Sequence, residues 1–180
     1  SMFSGVAPES VINLPNARTV YEVPLTLEAH HAGEIILKKF GIKAKKPDMK
    51  KWHGLVESAT ADCAITVKIG VIAKYLDNED TYLSVIEGLR SAARANKVKL
   101  DFHWVDAEKL ESEGVESLSE YDGVITPGGF GSRGLEGMIA AARYAMDNKL
   151  PYLGICLGMQ MAVIAAARKA GLKDAQTSEV

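Results

Sequence analysis

From Val67 onward the sequence alternates short apolar runs with amphipathic helical stretches, and this alternation restricts the fold more than any other feature. Parallel strands need a crossover helix between them, so the pattern predicts an α/β domain: a parallel sheet flanked by helices. Residues 67–73 (VKIGVIA) form the first expected strand. Asp80 or Thr81 can cap a helix over residues 82–96, where Tyr82, Val85, Ile86, Leu89 and Ala93 recur on one face. Residues 99–105 alternate strictly, with Leu100, Phe102 and Trp104 on one side and Asp101 and His103 on the other, which gives His103 a structural place. Asp106 opens a short acidic helix through Glu113, and Gly123–Thr126 is the third strand. A helix over Leu135–Asn148, a strand in the run 150–155, and a helix over 157–170 ending at Gly171 complete the pattern.

Residues 1–66 lack this rhythm and are expected to be a boundary region. Residues 3–9 (FSGVAPE) suggest the end of a strand and a turn, and Pro15-Asn16 divides two short apolar pieces. Pro24 opens an expected helix over 25–40, with Leu27, Ile35, Ile36 and Phe40 partly on one face and Gly41 as its stop. His30 and His31 fall inside it. Adjacent helical residues point about 100° apart, so the two imidazoles cannot share a metal ion. The basic, Pro-interrupted run 43–51 (KAKKPDMKK) fits a solvated linker, and His53 in WHGLVE has no recognisable catalytic context.

Chemistry concentrates at 150–160, LPYLGICLGMQ. Leu150, Tyr152, Leu153 and Ile155 suit a buried parallel strand, and Cys156 sits at the turn into the next helix between Gly154 and Gly158. Two flanking glycines let the backbone fold back and expose the side chain between them, as in the G-x-S-x-G nucleophile elbow. At a helix N-terminus the macrodipole favours the thiolate, and the N–H of Leu157 can donate to an oxyanion. The plain alternative is a buried packing cysteine, which would not require both glycines. A second stretch, TPGGFGSRGLEG (126–137), follows the third strand. Gly128, Gly129 and Gly131 free its backbone to bring N–H groups close to a ligand at the carboxyl edge of the sheet, where Cys156 also lies. No Gly-Lys-Ser/Thr follows, so it is not a phosphate-binding P-loop.

Composition narrows the function classes. A net charge of −2 leaves no basic field for nucleic acid, and no apolar run approaches membrane-spanning length. The N-terminus lacks signal-peptide character, and two cysteines, Cys63 and Cys156, provide no disulfide framework. A reducing, cytoplasmic setting is therefore expected, with no metal site.

PGGFGSRGLEG followed by PYLGICLGMQ, with the cysteine 28 residues after Gly128, resembles the class I glutamine amidotransferases, and within them the CTP synthase family. VINLPN, KYLDNEDTYLSVIEGL and LKDAQTSEV extend the resemblance over the whole chain. It implies a flavodoxin-like glutaminase fold over 67–180, in its N-terminal half only, and places 1–66 at the tail of a synthetase domain and its linker. It further implies ammonia supply from L-glutamine through a Cys156 thioester for the ATP- and magnesium-dependent amination of UTP to CTP, in a homotetramer. By the same resemblance Gly128, Gly129, Leu157, Gly158, Met159 and Gln160 hold glutamine, while Phe130, Arg133, Gly134 and Glu136 answer to GTP, an allosteric activator. Such families complete a Cys-His-Glu triad further along. The four histidines here all precede Cys156, so the resemblance also admits a catalytically silent binding module. A peptidase of the same fold fits less well, since its elbow usually lacks the GMQ continuation.

Overall fold

A computed structural model describes Phe3, residues 5–76 and residues 79–178. The chain divides into two compact units, Ser1–Asp62 and Cys63–Val180. Expectations at positions 4, 77, 78, 179 and 180, which include parts of the FSGVAPE, KYLDNED and DAQTSEV stretches, lie outside the described residues.

The first unit is helical. Where the sequence predicts the end of a strand, Pro8–Ser10 forms a 3-10 turn opened by the fixed φ of Pro8. The single helix expected over 25–40 is two helices, α1 (Val23–Ala29) and α2 (Ala32–Lys39). At their junction the His30 backbone N–H and ring Nδ1 both reach the Thr26 carbonyl oxygen, at 3.2 and 2.8 Å. A carbonyl can only accept, so Nδ1 carries the proton in this contact. His31 then turns left-handed at φ 56°, and Ile36 and Phe40 remain exposed on the displaced second half. Residues 43–49 of the expected linker form no helix or strand, and helix α3 (Lys50–Thr60) begins in its last two residues. Asp48 Oδ1 accepts from the Lys50 N–H at 3.0 Å, and the Trp52 indole donates to the Tyr21 carbonyl at 2.6 Å, which docks α3 on the turn before α1.

The second unit contains a four-stranded parallel sheet. Its strands are β1 (Thr66–Ala73), β2 (Lys99–Asp106), β3 (Gly123–Thr126) and β4 (Tyr152–Gly154), in the order β2-β1-β3-β4. The crossovers are α4 (Leu83–Asn96), α5 (Ala107–Glu113) and α6 (Leu135–Asn148), and α7 (Leu157–Lys169) follows β4. Successive residues of the central strands face opposite cores, as a sheet covered on both sides requires. Ile72 and Val124 point to a large cluster with Leu110, Met138, Leu157 and Met161, while Val71 and Ile125 point to a smaller one with Ile86 of α4.

Two local expectations change. Asp80 and Thr81, the expected caps, fall instead within a 3-10 turn, Glu79–Tyr82, and α4 begins at Leu83 with Tyr82 in the N-cap position. That tighter turn buries the Tyr82 ring 5.7 Å from Trp104 and 6.3 Å from Tyr75, and its hydroxyl accepts from the Lys74 N–H. The strand expected to be buried, β4, is an edge strand with Leu153 56% exposed. Leu153 pairs with Ile125 and so faces the α4 side, where the helix covers β1 and β2 and, among the described residues, nothing covers β4.

Candidate active site

Cys156 stands between β4 and α7 with φ 51° and ψ −110°, a combination a side-chain-bearing residue rarely adopts. Such a conformation costs on the order of 1–3 kcal/mol and persists only where the surroundings impose it. The surroundings do impose it. Ile155 donates its N–H to the Thr126 carbonyl at 2.9 Å, extending the β3–β4 ladder up to the cysteine, and Gly158 donates back to Ile155 at 2.9 Å. The helix then starts at once, with the Gln160 N–H on the Cys156 carbonyl at 3.1 Å.

The flanking glycines serve a purpose beyond turning. A Cβ on Gly158 would lie 2.0 Å from the Thr126 carbonyl oxygen, and one on Gly154 would lie 2.6 Å from the Gly158 carbonyl carbon. The elbow is therefore closed by backbone packed on backbone, and the unusual torsion falls on Cys156 itself. Tyr152 locks the corner by donating its hydroxyl to the Gly158 carbonyl at 2.9 Å; burial pushes the pKa of that hydroxyl up, which keeps its proton in place.

The thiol is exposed, and the glycine-rich loop lies against it. A Cβ on Gly128 would sit 3.4 Å from the Cys156 Cβ and 3.9 Å from its Sγ, while one on Gly129 would touch Leu157 Cδ2 at 3.3 Å. Leu157 buries its side chain in the core and offers only its N–H, which as the first of α7 has no partner four residues back. The Gly158 N–H is taken by Ile155, so its part in the site is steric. Met159 and Gln160 are exposed one turn on and line a cleft of about 380 Å³ with Val163, Ile164 and residues 176–178. This is within the range of small-molecule sites.

The positions matched to an effector loop are dispersed. Phe130 holds its ring 75% exposed. Arg133 pairs with Glu108 at 3.1 Å, and Gly134, at φ 68°, leads into α6 against Ala107. Glu136 is engaged by the fork of Arg168, with contacts of 2.6 and 3.0 Å, and Arg168 also donates to the Ala175 carbonyl, tying the cleft wall to α7. The Arg168 hydrogen bonds hold the Glu136 carboxyl below its ordinary range. A depressed carboxylate contributes stability above its unfolded pKa and loses it as pH falls through the folded value. The Glu136→Gln protein is therefore expected to be less stable than the parent at neutral pH, with the difference vanishing below the carboxylate range in pH-resolved unfolding midpoints.

Within this unit the structure does not bring a histidine to Cys156. His103 lies on β2, across the sheet from β4 by three strand spacings of about 4.8 Å each, and contacts Asp101 at 3.1 Å. Sequence reasoning overlooked Lys74 and Tyr75. Lys74 is 5% exposed, and both side chains hydrogen-bond the glycine-rich loop. The available signal was their position, immediately after β1 at the same sheet edge as Cys156.

A strained, exposed cysteine at a strand-to-helix elbow, with a glycine-rich turn against its sulfur, defines a class of acyl-transfer proteins, and comparison specifies it. Residues 77–179 match the family model "Glutamine amidotransferase class-I", and the chain belongs to that family. Its similar relatives include the CTP synthases of Carboxydothermus hydrogenoformans, 45% identical over 99% of this chain, and Pyrococcus furiosus, 41% identical over all of it. The chain spans about a third of those proteins, 34% in each case. A solved structure described as the Trypanosoma brucei CTPS glutaminase domain with bound acivicin aligns with a TM-score of 0.57 and 41% identity, covering 63% of this chain and 45% of that one. The parallel four-stranded sheet flanked by helices is thus the class I glutamine amidotransferase fold.

Proposed function

We propose that this chain supplies the nucleophile side of the glutaminase site of a CTP synthase. The observation that carries the reading is the Cys156 elbow, whose sulfur lies beside Gly128 in a conformation that only close backbone packing sustains. The thiolate attacks the glutamine amide carbon, and the carbonyl oxygen becomes an oxyanion facing N–H donors from Leu157 and the 128–129 turn. Collapse of that intermediate breaks the carbon–nitrogen bond, releases ammonia after protonation of the nitrogen, and leaves a glutamyl thioester. Water hydrolyses the thioester to glutamate. The cleft beside Gln160 receives the amino-acid end of the substrate.

In the whole protein the ammonia serves the ATP- and magnesium-dependent amination of UTP in the cytoplasm, within a homotetramer. Among the described residues no group of three His, Cys, Asp or Glu side chains is placed to hold a metal ion. No helix among them is long and apolar enough to cross a membrane. GTP acts as activator on the loop 130–136, where the exposed Phe130 ring is available for stacking.

The distance of His103 from the elbow favours a second reading, a glutaminase-like module that binds without turnover. Assay of the full-length protein separates the two. Glutamate release with CTP formation, and CTP formation from ammonia without glutamine, is the expected result; amination from ammonia alone, with no glutamine hydrolysed, would establish the silent module.

A further inference from the structure

The glycine-rich loop beside Cys156 has few side chains of its own to fix it, and Gly131 stands at φ 75°. Its order is supplied from β1. In the sheet β1 lies beside β3, so the residue after Ala73 emerges next to the start of the loop. Lys74 turns its side chain inward there, and its Nζ donates to two successive carbonyls, Phe130 O at 2.9 Å and Gly131 O at 2.6 Å. Tyr75 takes the same residue from the other side: its hydroxyl accepts from the Phe130 N–H and donates to the Phe130 carbonyl, both at 3.1 Å. The Arg133 guanidinium closes the ring on the Lys74 carbonyl at 3.3 Å. The stem of Lys74 also approaches within 3.4 Å of where a Cβ on Gly129 would be, opposite Leu157.

A lysine 5% exposed is rare unless its charge is compensated, and these carbonyls do so with charge-assisted hydrogen bonds. Together with the Tyr75 hydroxyl on the Phe130 N–H, the two carbonyls held by one cation fix three successive peptide planes, from 129–130 to 131–132, and so anchor the turn directly after Gly128 and Gly129. A glycine-rich loop without that constraint rotates such planes readily, and each rotation reverses an N–H.

Building on the glutaminase reading, we propose that Lys74, assisted by Tyr75, is a positioning residue for glutamine hydrolysis: it holds the 128–131 turn so that its N–H donors face the oxyanion formed at Cys156. Lys74 does not touch the reacting atoms. It acts through the loop backbone, before substrate arrives.

The test compares two reactions of the same sulfur in the full-length protein. Glutamine hydrolysis passes through an oxyanion; alkylation by iodoacetamide, in which the thiolate displaces iodide, does not. In Lys74→Met, kcat for glutamine is expected to fall about 10²-fold, the loss typical of a misplaced oxyanion donor, with KM changed less than about threefold. Alkylation of Cys156, followed at a pH where the thiol is fully ionised, keeps the parent rate. Tyr75→Phe, a milder change that decides the matter if Lys74→Met does not fold, is expected to lower kcat about tenfold, again sparing alkylation. Parent-like kcat in these variants, or alkylation falling in step with kcat, would overturn the positioning role. Cys156→Ala is run alongside: if it still hydrolyses glutamine, the glutaminase reading itself is overturned, a result distinct from failure of the Lys74 inference alone.

Discussion

Replacing Cys156 by alanine is expected to lower glutamine-dependent CTP formation by about 10⁴-fold or more, the scale on which removal of a covalent nucleophile acts. Synthesis from supplied ammonia is expected to continue, because ammonia enters after the step that needs the sulfur. The split follows from the geometry. Cys156 is exposed at the elbow, and its side chain carries no part of the core, which is formed by Leu157, Met161 and Ile164 on the following helix. Its removal also relieves nothing that holds the elbow, since the hydrogen bonds there run between backbone groups. Loss of both activities together would show that Cys156 supports the fold and would remove the basis for its assignment as nucleophile.

Gly158→Ala is expected to have a large effect on stability. The new methyl would meet the Thr126 carbonyl oxygen at 2.0 Å and the Thr126 carbonyl carbon at 2.7 Å. Both are backbone atoms in a strand that pairs on two sides, so no rotamer change relieves the overlap. Either α7 moves off β3 or the elbow opens, at an expected cost of about 3 kcal/mol or more. Glutamine hydrolysis is lost with it, because the Leu157 N–H shifts along with the helix. Gly88→Ala provides the comparison: in α4, where a Cβ meets nothing within 4 Å, alanine is expected to stabilise by about 0.5–1 kcal/mol. Unfolding midpoints of the two variants against the parent check both signs, and a Gly158→Ala protein as stable as its parent would contradict the packed corner.

Much of the second unit was legible because its signals are local. Helix α6 spans Leu135–Asn148 and β3 spans Gly123–Thr126, as the sequence pattern predicts, and Asp106 caps α5 by accepting from the Glu108 N–H at 2.9 Å. The elbow was legible for the same reason, since two glycines around a cysteine announce a close backbone approach within five residues. What failed depends on neighbours that a linear pattern does not name. The apolar run of β4 looks buried, yet whether Leu153 is covered depends on which strand ends the sheet and where α4 lies. Helix α1 gives way to α2 where His31 turns left-handed at φ 56°, a choice that periodicity does not register.

Lys74 illustrates the same limit within the site. Lysine after a strand is ordinarily solvated, and its burial follows only from the adjacency of β1 and β3, which brings the Phe130 and Gly131 carbonyls to its ammonium. The positions carried over from the family resemblance divide on the same principle. Gly128 lies against Cys156 and Gly129 against Leu157 because two neighbouring strands end there. Phe130 is exposed, while Arg133 and Glu136, on either side of the left-handed turn at Gly134, pair with Glu108 and Arg168.

The central claim is that the Cys156 sulfur becomes acylated by glutamine. Acid quenching of the full-length protein during turnover, followed by peptide mass analysis, observes that bond directly. A glutamyl adduct on the peptide containing Cys156, absent from the Cys63 peptide and discharged when turnover is allowed to finish, is the predicted result; hydrolysis of glutamine with Cys156 unmodified throughout would contradict it.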